Sequence, residues 1–293
     1  MRFEFYRFRF WFRAAGGLYF PAYQSGNILR GAFGTIFRRN DEGEYARVFT
    51  PRGAEGQGPS GLADRPRAFV FRASHLDGRT IREGERFHFD VHMFDVGDPA
   101  VAHFVAAFAE LAREGLGPGR GLAQLEGVDQ LDLSGEAAGR VDDAPVAAPI
   151  GMELSADTER VDRVRVRFVT PTEIKAGERL AERPEFGILL ARLRDRIGAL
   201  RAMYGGGPLE IDFRGMGERA GAVRMTRCEL EWVEAERRSS RTGQRHPLGG
   251  FVGEAEYEGA LGEFMPYLRL GKWVGVGRQT VWGKGEMEVI IGA

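Results

Sequence analysis

The chain has 293 residues, a formal net charge of −1 and a 43 % share of hydrophobic residues, which suits a globular protein of two ordinary domains. Its one cysteine, Cys228, excludes an intrachain disulfide and a thiolate zinc site. The first 13 residues alternate aromatic and basic side chains without a continuous apolar run, so they predict neither a signal peptide nor a membrane span, and we expect a cytoplasmic protein.

The N-terminal half begins with a strongly alternating strand over residues 2–13. One face of this strand is expected to be core, and it carries Tyr6, Phe8, Phe10 and Phe12. The other face is aromatic and basic, and it carries Phe3, Phe5, Arg7, Arg9, Trp11 and Arg13. Further along we expect a helix at 27–39, a long loop at 43–67, strands at 67–72 and 86–94, a helix at 99–113 and a strand at 122–133.

The same order of elements returns after a linker at 141–150 that is rich in proline and small residues. The patterns predict a strand at 161–169, a helix at 184–204, strands at 209–213, 223–234 and 251–257, a helix at 261–269 and a final strand at 287–291. The order strand, helix, strand, strand, helix, strand is typical of a ferredoxin-like unit. We therefore predict an α+β chain of two ferredoxin-like domains with antiparallel sheets, over 1–145 and 151–293.

A glycine-rich stretch at 271–285 precedes that final strand, with basic and aromatic residues between the glycines. Glycine allows positive φ, and successive exposed N–H groups form a concavity for anions. Lys272, Arg278 and Lys284 would bind phosphates, while Trp273 and Trp282 offer faces for stacked bases. Neither nucleotide-binding glycine pattern fits, because no helix follows. The stretch would therefore either bind the backbone of a polymeric anion or simply form a set of tight turns.

Local clusters of arginine offset the nearly neutral total charge, which by itself disfavours nucleic-acid binding. One cluster comprises residues 237–246 and includes Arg241, Arg245 and His246. A second cluster is the pair Arg38 and Arg39 on the predicted first helix. Either cluster is also compatible with an ordinary solvated surface.

Four segments in order carry a resemblance to a known family. They are Leu29-Arg30-Gly31-Ala32-Phe33-Gly34, Phe168-Val169-Thr170-Pro171-Thr172-Glu173-Ile174-Lys175, Pro247-Leu248-Gly249-Gly250-Phe251-Val252-Gly253-Glu254 and the glycine-rich stretch. With these segments the chain resembles the CRISPR-associated endoribonucleases that cut precursor guide RNA, the Cas-six family of the RAMP superfamily.

The resemblance implies two RRM-like domains and a metal-independent RNase without a cofactor. Its partners would be CRISPR repeat RNA and other CRISPR-associated subunits, with no DNA and no membrane involved. In the implied reaction the ribose 2′-OH attacks the adjacent phosphate and leaves a 2′,3′-cyclic phosphate and a 5′-OH. Many relatives have histidines at two motif positions, where this chain has Thr35 and Gly275.

The resemblance and the remaining histidines suggest the site residues. His246 lies in a basic segment before Gly249, and imidazole suits proton transfer near neutral pH, so we predict a catalytic role for it. Tyr23 stands before the first helix, where the resemblance implies a tyrosine near the cleaved bond, so we predict a catalytic role for it too. A buried anchor of the loop is the alternative interpretation. The predicted RNA contacts are Arg30, Arg38, Arg39, Arg241, Arg245, Lys272, Arg278 and Lys284.

Three polar residues of the strand at 86–94 share one face, namely His88, Asp90 and His92. They would form either a solvated strand face or a divalent metal site. We expect His103 to be exposed and His75 to be structural. Three functions therefore remain in competition: an endoribonuclease, a non-catalytic subunit that holds the repeat, and a metal protein.

Overall fold

The computed structural model describes residues 1–51, 65–141, 146–156, 160–234 and 249–291, together with the backbone of 236–238 and 245–247. Helices in this part of the chain are α1 Ser25–Asn40, α2 Glu42–Phe49, α3 Val101–Glu114, α4 Phe186–Tyr204, α5 Phe213–Gly221 and α6 Met265–Val274, with 3₁₀ turns η1 Ser74–Leu76 and η2 Thr280–Trp282.

Strands β1 to β8 lie in the first half of the chain. They are β1 Arg2–Ala14, β2 Leu18–Tyr19, β3 Phe69–Arg72, β4 Thr80–Ile81, β5 Arg86–Met93, β6 Ala123–Leu131, β7 Ala137–Arg140 and β8 Ile150–Glu153. The second half contributes β9 Arg163–Thr172, β10 Lys175–Ala176, β11 Arg179–Leu180, β12 Arg224–Val233, β13 Glu236–Arg238, β14 Arg245–Pro247, β15 Gly250–Glu258 and β16 Met287–Ile291.

Both halves have the predicted ferredoxin-like topology. The N-terminal sheet has the order β3-β5-β1-β6-β7, and the C-terminal sheet has the order β12-β15-β9-β16. All these neighbours are antiparallel. In each half the first and third strands are central, which is the arrangement of a split βαβ unit.

The long strand β1 contributes to two cores. Its residues Phe8, Phe10 and Phe12 are fully buried in the N-terminal core, under α1 and α3. Its first residues, Phe3 and Phe5, are buried in the C-terminal core. The beginning of β1 also pairs with β8. The first part of the predicted aromatic and basic face, Phe3 and Phe5, therefore lies in the interface between the domains.

Helices α2 and α5 differ from the sequence-based expectation. The predicted loop at 43–67 begins with helix α2, because the Asp41 side chain accepts a hydrogen bond from the Glu44 N–H and caps its first turn. The predicted strand at 209–213 is absent from these described residues. Asp212 instead caps α5 by accepting from the Gly215 N–H.

Helix α6 extends into the glycine-rich stretch. It continues to Val274 and ends at Gly275, whose φ of 73° suits the residue after a helix. The sequence pattern predicts a helix only to residue 269. Gly271 and Trp273 are consequently buried helical residues, and the open glycine loop is limited to residues 275–285.

Candidate RNA-processing site

The first helix and the glycine loop lie directly against each other. A Cβ atom on Gly26 would come within 2.7 Å of the Gly283 Cα, so only glycine permits this approach without a shift. Four residues further along α1, the Arg30 guanidinium lies 4.4 Å from the Phe49 ring centre and 4.6 Å from that of Trp282. This buried cation–π contact fastens the loop to the helix.

Several backbone N–H groups of the glycine loop are bound within the protein. The Val276 N–H donates to the Gly285 carbonyl, the Arg278 N–H to the Glu173 carbonyl and the Gly285 N–H to the Pro171 carbonyl. The glycines therefore allow the loop to fold tightly onto the strand that precedes Glu173. These three N–H groups are not part of the anion-binding concavity that the glycine spacing predicted.

Lys284, a predicted RNA contact, is an internal cation. Its side chain is 4 % exposed, its Nζ lies 3.4 Å from the Glu173 Oε2, and it donates to the Gly249 carbonyl oxygen. Burial lowers the pKa of Lys284, and the nearby Glu173 carboxylate opposes that shift. The Arg278 guanidinium lies 3.5 Å from the same carboxylate but is half exposed. Of these two cations, Arg278 is the one that faces solvent.

The other predicted cations occupy different parts of the surface. Lys272 is exposed on α6, with its Nζ 4.9 Å from the Trp273 ring centre. Arg38 pairs with Glu42 on the next helix. Arg39 pairs with Glu110 and Glu114. Arg241 lies outside the described residues, as do the side chains of Arg245 and His246, whose backbone belongs to the β13–β14 hairpin.

Tyr23 stands at the beginning of α1 in a positive-φ conformation, with φ 58°. The two N–H groups that follow it, on Gln24 and Ser25, donate to the Asp77 Oδ1. Burial raises the pKa of Asp77, and these two hydrogen bonds act in the opposite direction. The turn η1, which precedes Asp77, is therefore attached to the start of the first helix. Ser74 in this turn lies near the Glu286 carboxyl group, just beyond the glycine loop, and favours its ionised form.

A cleft of about 150 Å³ opens beside η1, between the two domains. It is lined by Arg7, Arg9, Arg72, His75, His88, Asp90, His92, Lys272, Trp273 and Glu286. Four permanent cations therefore face two carboxyl groups. Burial raises the pKa of the Glu286 carboxyl, which reduces the negative charge of the cleft further. The cleft has the charge that a phosphodiester requires.

The back wall of this cleft is the C-terminal end of α6. Arg72 donates to the Lys272 and Trp273 carbonyl oxygens, and the His92 Nδ1–H donates to that of Trp273. On the other side, the Arg196 Nε donates to the Val274 carbonyl oxygen. The last carbonyls of a helix have no partner within it and carry a negative potential, so two buried guanidinium groups stabilise this end.

The polar face of β5 lines the same cleft and is not solvated. His92 is 2 % exposed and Asp90 is 7 % exposed. Burial lowers the pKa of His92 to about 3, and burial together with His75 and Arg9 lowers that of His88 to about 4. Both imidazoles are therefore neutral at pH 7.

Asp90 is held by arginines from the neighbouring strand. Its two oxygens accept from Arg9 at 2.7 and 3.0 Å, and Arg7 lies 3.7 Å away. Burial opposes ionisation, but the hydrogen bonds from Arg9 prevail and lower the pKa of this carboxyl. Among the described residues, no group of three His, Cys, Asp or Glu is arranged to hold a metal ion. The metal-site hypothesis therefore finds no support there.

From the sequence we expected His75 to be structural and Arg7 and Arg9 to lie on the second face of β1, and none of them was assigned to the site. The cross-strand register pairs Arg7 with His92, Arg9 with Asp90 and Trp11 with His88. The sequence signal for this face was the recurrence of arginine at every second position of β1. That pattern does not show that a second domain covers the face. His103, as expected, is exposed, and it lies beside Asp41 and Glu44.

Comparison with known structures supports this fold over the whole chain. A Cas6 product complex has a TM-score of 0.59 at 18 % identity, over 98 % of this chain and 99 % of that one. Thermus thermophilus Cas6 has a TM-score of 0.58 at 14 % identity, over 98 % of both chains. A partial Cas6-RT-Cas1–Cas2 complex has a TM-score of 0.62 at 14 % identity, over 99 % of this chain and 46 % of that one. No curated protein sequence matches the chain.

The fold and the loop that closes on its first helix define a class, the tandem ferredoxin-like proteins with a C-terminal glycine-rich loop. Residues 3–147 match a family model described as an N-terminal domain. Residues 166–287 match the family model of the CRISPR-associated endoribonuclease Cas6. This match, which covers the C-terminal half of the chain, supports a general role in CRISPR RNA processing. No helix in the described part of the chain is long and apolar enough to cross a membrane.

Proposed function

We propose that this protein is a metal-independent endoribonuclease that cleaves CRISPR precursor RNA within its repeats. The 2′-OH would attack the adjacent phosphate and leave a 2′,3′-cyclic phosphate and a 5′-OH. The observation that carries the proposal is the basic cleft beside the contact between the first helix and the glycine loop. Cations in such a partly buried cleft stabilise the negative charge of the phosphorane-like transition state.

The role that we propose for each basic residue follows from the solvent exposure of its side chain. Lys272 and Arg278 are exposed cations beside the cleft or on the loop, and they would bind the RNA backbone. Arg38, Arg39, Arg241 and Arg245 stay proposed contacts at the periphery. Arg30 and Lys284 have internal partners and would support the loop instead. Tyr23 and His246 stay the proposed catalytic residues, acting in the cytoplasm without a cofactor.

A second function, a non-catalytic subunit that holds the repeat, is favoured by the two motif positions. Gly275 has a φ of 73°, and a Cβ there would lie 3.1 Å from both the Arg72 Nη2 and the Gly285 carbonyl oxygen. A histidine at this position would be strained, so the backbone itself is adapted to glycine. Thr35 is exposed on α1 and supplies no group that transfers protons near pH 7. In that case this protein would hold the repeat RNA in association with other CRISPR-associated subunits.

The deciding experiment is incubation of the purified protein with a labelled cognate repeat hairpin in EDTA. Cleavage at one position, with a cyclic phosphate on the upstream product, is the result expected for the endoribonuclease. Tight binding without cleavage would establish the non-catalytic alternative. A scrambled hairpin of the same length controls for non-specific RNA degradation.

A further inference from the structure

The imidazole of His75 lies at the junction of the three elements that form the site. Its turn, η1, is fixed to the start of α1 through Asp77, and Glu286, just beyond the glycine loop, lines the same cleft as His75. The His75 side chain also lines the basic cleft. Because Asp77 binds the N–H groups of Gln24 and Ser25, the neighbourhood of His75 includes the backbone that carries Tyr23.

The ring of His75 is held in one orientation. Its Nε2 lies 2.9 Å from the His88 carbonyl oxygen, and its ring stacks on the His88 ring at 4.6 Å between centres and 25° between planes. A carbonyl oxygen only accepts, so the proton of the neutral His75 ring is on Nε2. The Nδ1 atom is then the basic nitrogen. This residue is also exposed, which gives a substrate access to it.

The charges around His75 suit proton transfer next to a phosphate. Asp77 and Glu286 are the carboxyl groups that interact with it, and His88 is the imidazole. Arg9 and Lys272 line the same cleft and provide positive charge for an RNA phosphate. An imidazole with a fixed tautomer beside cations is the combination that general base catalysis of RNA cleavage requires.

We propose that His75 is a catalytic residue, the general base that accepts the 2′-OH proton at Nδ1. The O2′–P bond forms as this proton leaves, the P–O5′ bond breaks, and the departing 5′ oxygen takes a proton from His246, the other histidine proposed for catalysis. His75 thereby accepts the proton that neither residue at the two motif positions, Thr35 or Gly275, can accept near pH 7. This inference rests on the proposed endoribonuclease function.

The test compares single-turnover cleavage of the labelled repeat hairpin by the unmodified protein and by His75→Ala, His75→Gln and His103→Ala. Glutamine keeps a donor for the His88 carbonyl oxygen but cannot accept a proton near pH 7. The expected result is a loss of at least about 100-fold in cleavage rate for both His75 variants. Affinity for a hairpin with a 2′-deoxy nucleotide at the cut should be unchanged, and imidazole in the buffer should restore part of the activity of His75→Ala. The exposed His103 variant should cleave normally.

Each other outcome overturns the inference in a distinguishable way. If both His75 variants cleave as fast as the unmodified protein, His75 is not the base although the endoribonuclease function stands. If they lose affinity and rate in equal proportion without rescue by imidazole, His75 has a binding or structural role. If the unmodified protein binds the hairpin and does not cleave it, the proposed function fails, and the catalytic role of His75 fails with it.

Discussion

Replacement of Arg72 by methionine tests the contact between the two domains. Arg72 belongs to the N-terminal sheet, is 7 % exposed and donates to the Lys272, Trp273 and Phe71 carbonyl oxygens at 3.1–3.3 Å. Methionine has a similar length and no charge, so it fills the space but leaves the end of α6 without this donor. The Trp273 carbonyl would still accept from His92.

The magnitude follows from those hydrogen bonds. A hydrogen bond to a charged group contributes about 1.5–3 kcal/mol, and a buried carbonyl left without a partner costs about 1–3 kcal/mol. Burial of the guanidinium lowers the pKa of Arg72, which shows that desolvation offsets part of its contribution. We therefore expect the free energy of unfolding to fall by about 3 kcal/mol, and the Tm by roughly 5 °C for a chain of this size.

Urea unfolding followed by circular dichroism and by tryptophan fluorescence measures this change. The matched control is Arg219→Met, because Arg219 also makes two hydrogen bonds, to Glu263, but on an exposed surface. The control should unfold at the same urea concentration as the unmodified protein. Equal stability of Arg72→Met and the unmodified protein would refute the claim that the capped end of α6 stabilises the fold.

Three further changes have calculable outcomes. The pKa of His92 is about 3 in the folded protein, so below about pH 6.5 the unfolded chain binds a proton there that the folded chain does not. His92 should therefore contribute a loss of stability of about 1.4 kcal/mol per pH unit below that value, and unfolding titrations at pH 7 and 5 should show a smaller total loss for His92→Gln. Neutralising Lys272 and Arg278 to glutamine should reduce the slope of log affinity against log salt by about 1.4, and an unchanged slope would contradict phosphate contacts there. His246→Ala should abolish cleavage and preserve hairpin affinity; unchanged cleavage would refute its catalytic role.

The fold was predictable from the sequence because its signals are local. Alternation along residues 6–12 and the apolar stripes of α3 and α4 each specify one element and its buried face. The order of those elements then specifies a tandem ferredoxin-like chain. The confirmed prediction therefore required no knowledge of which residues meet across the domains.

The site was less predictable because it depends on contacts between distant residues. Trp273 and Lys284 have the composition of RNA ligands, yet a helix that continues to Val274 buries the first and Glu173 engages the second. No local pattern shows that α6 extends into a glycine-rich stretch. Similarly, the stacking of His75 on His88 depends on how η1 returns against β5. The assignments of His246 and Tyr23 stay predictions.

The division of β1 between two cores has a consequence for biosynthesis. The ribosome makes Phe3 and Phe5 first, but the residues that bury them include Trp273 and others near the other end of the chain. Phe8, Phe10 and Phe12 can be covered once α3 and β6 have emerged. The N-terminal domain can therefore fold during translation while Phe3 and Phe5 are not yet fully buried. Their burial is completed only when the last helix has been synthesised and packs against them. A chain stalled before α6 would present that apolar end to chaperones.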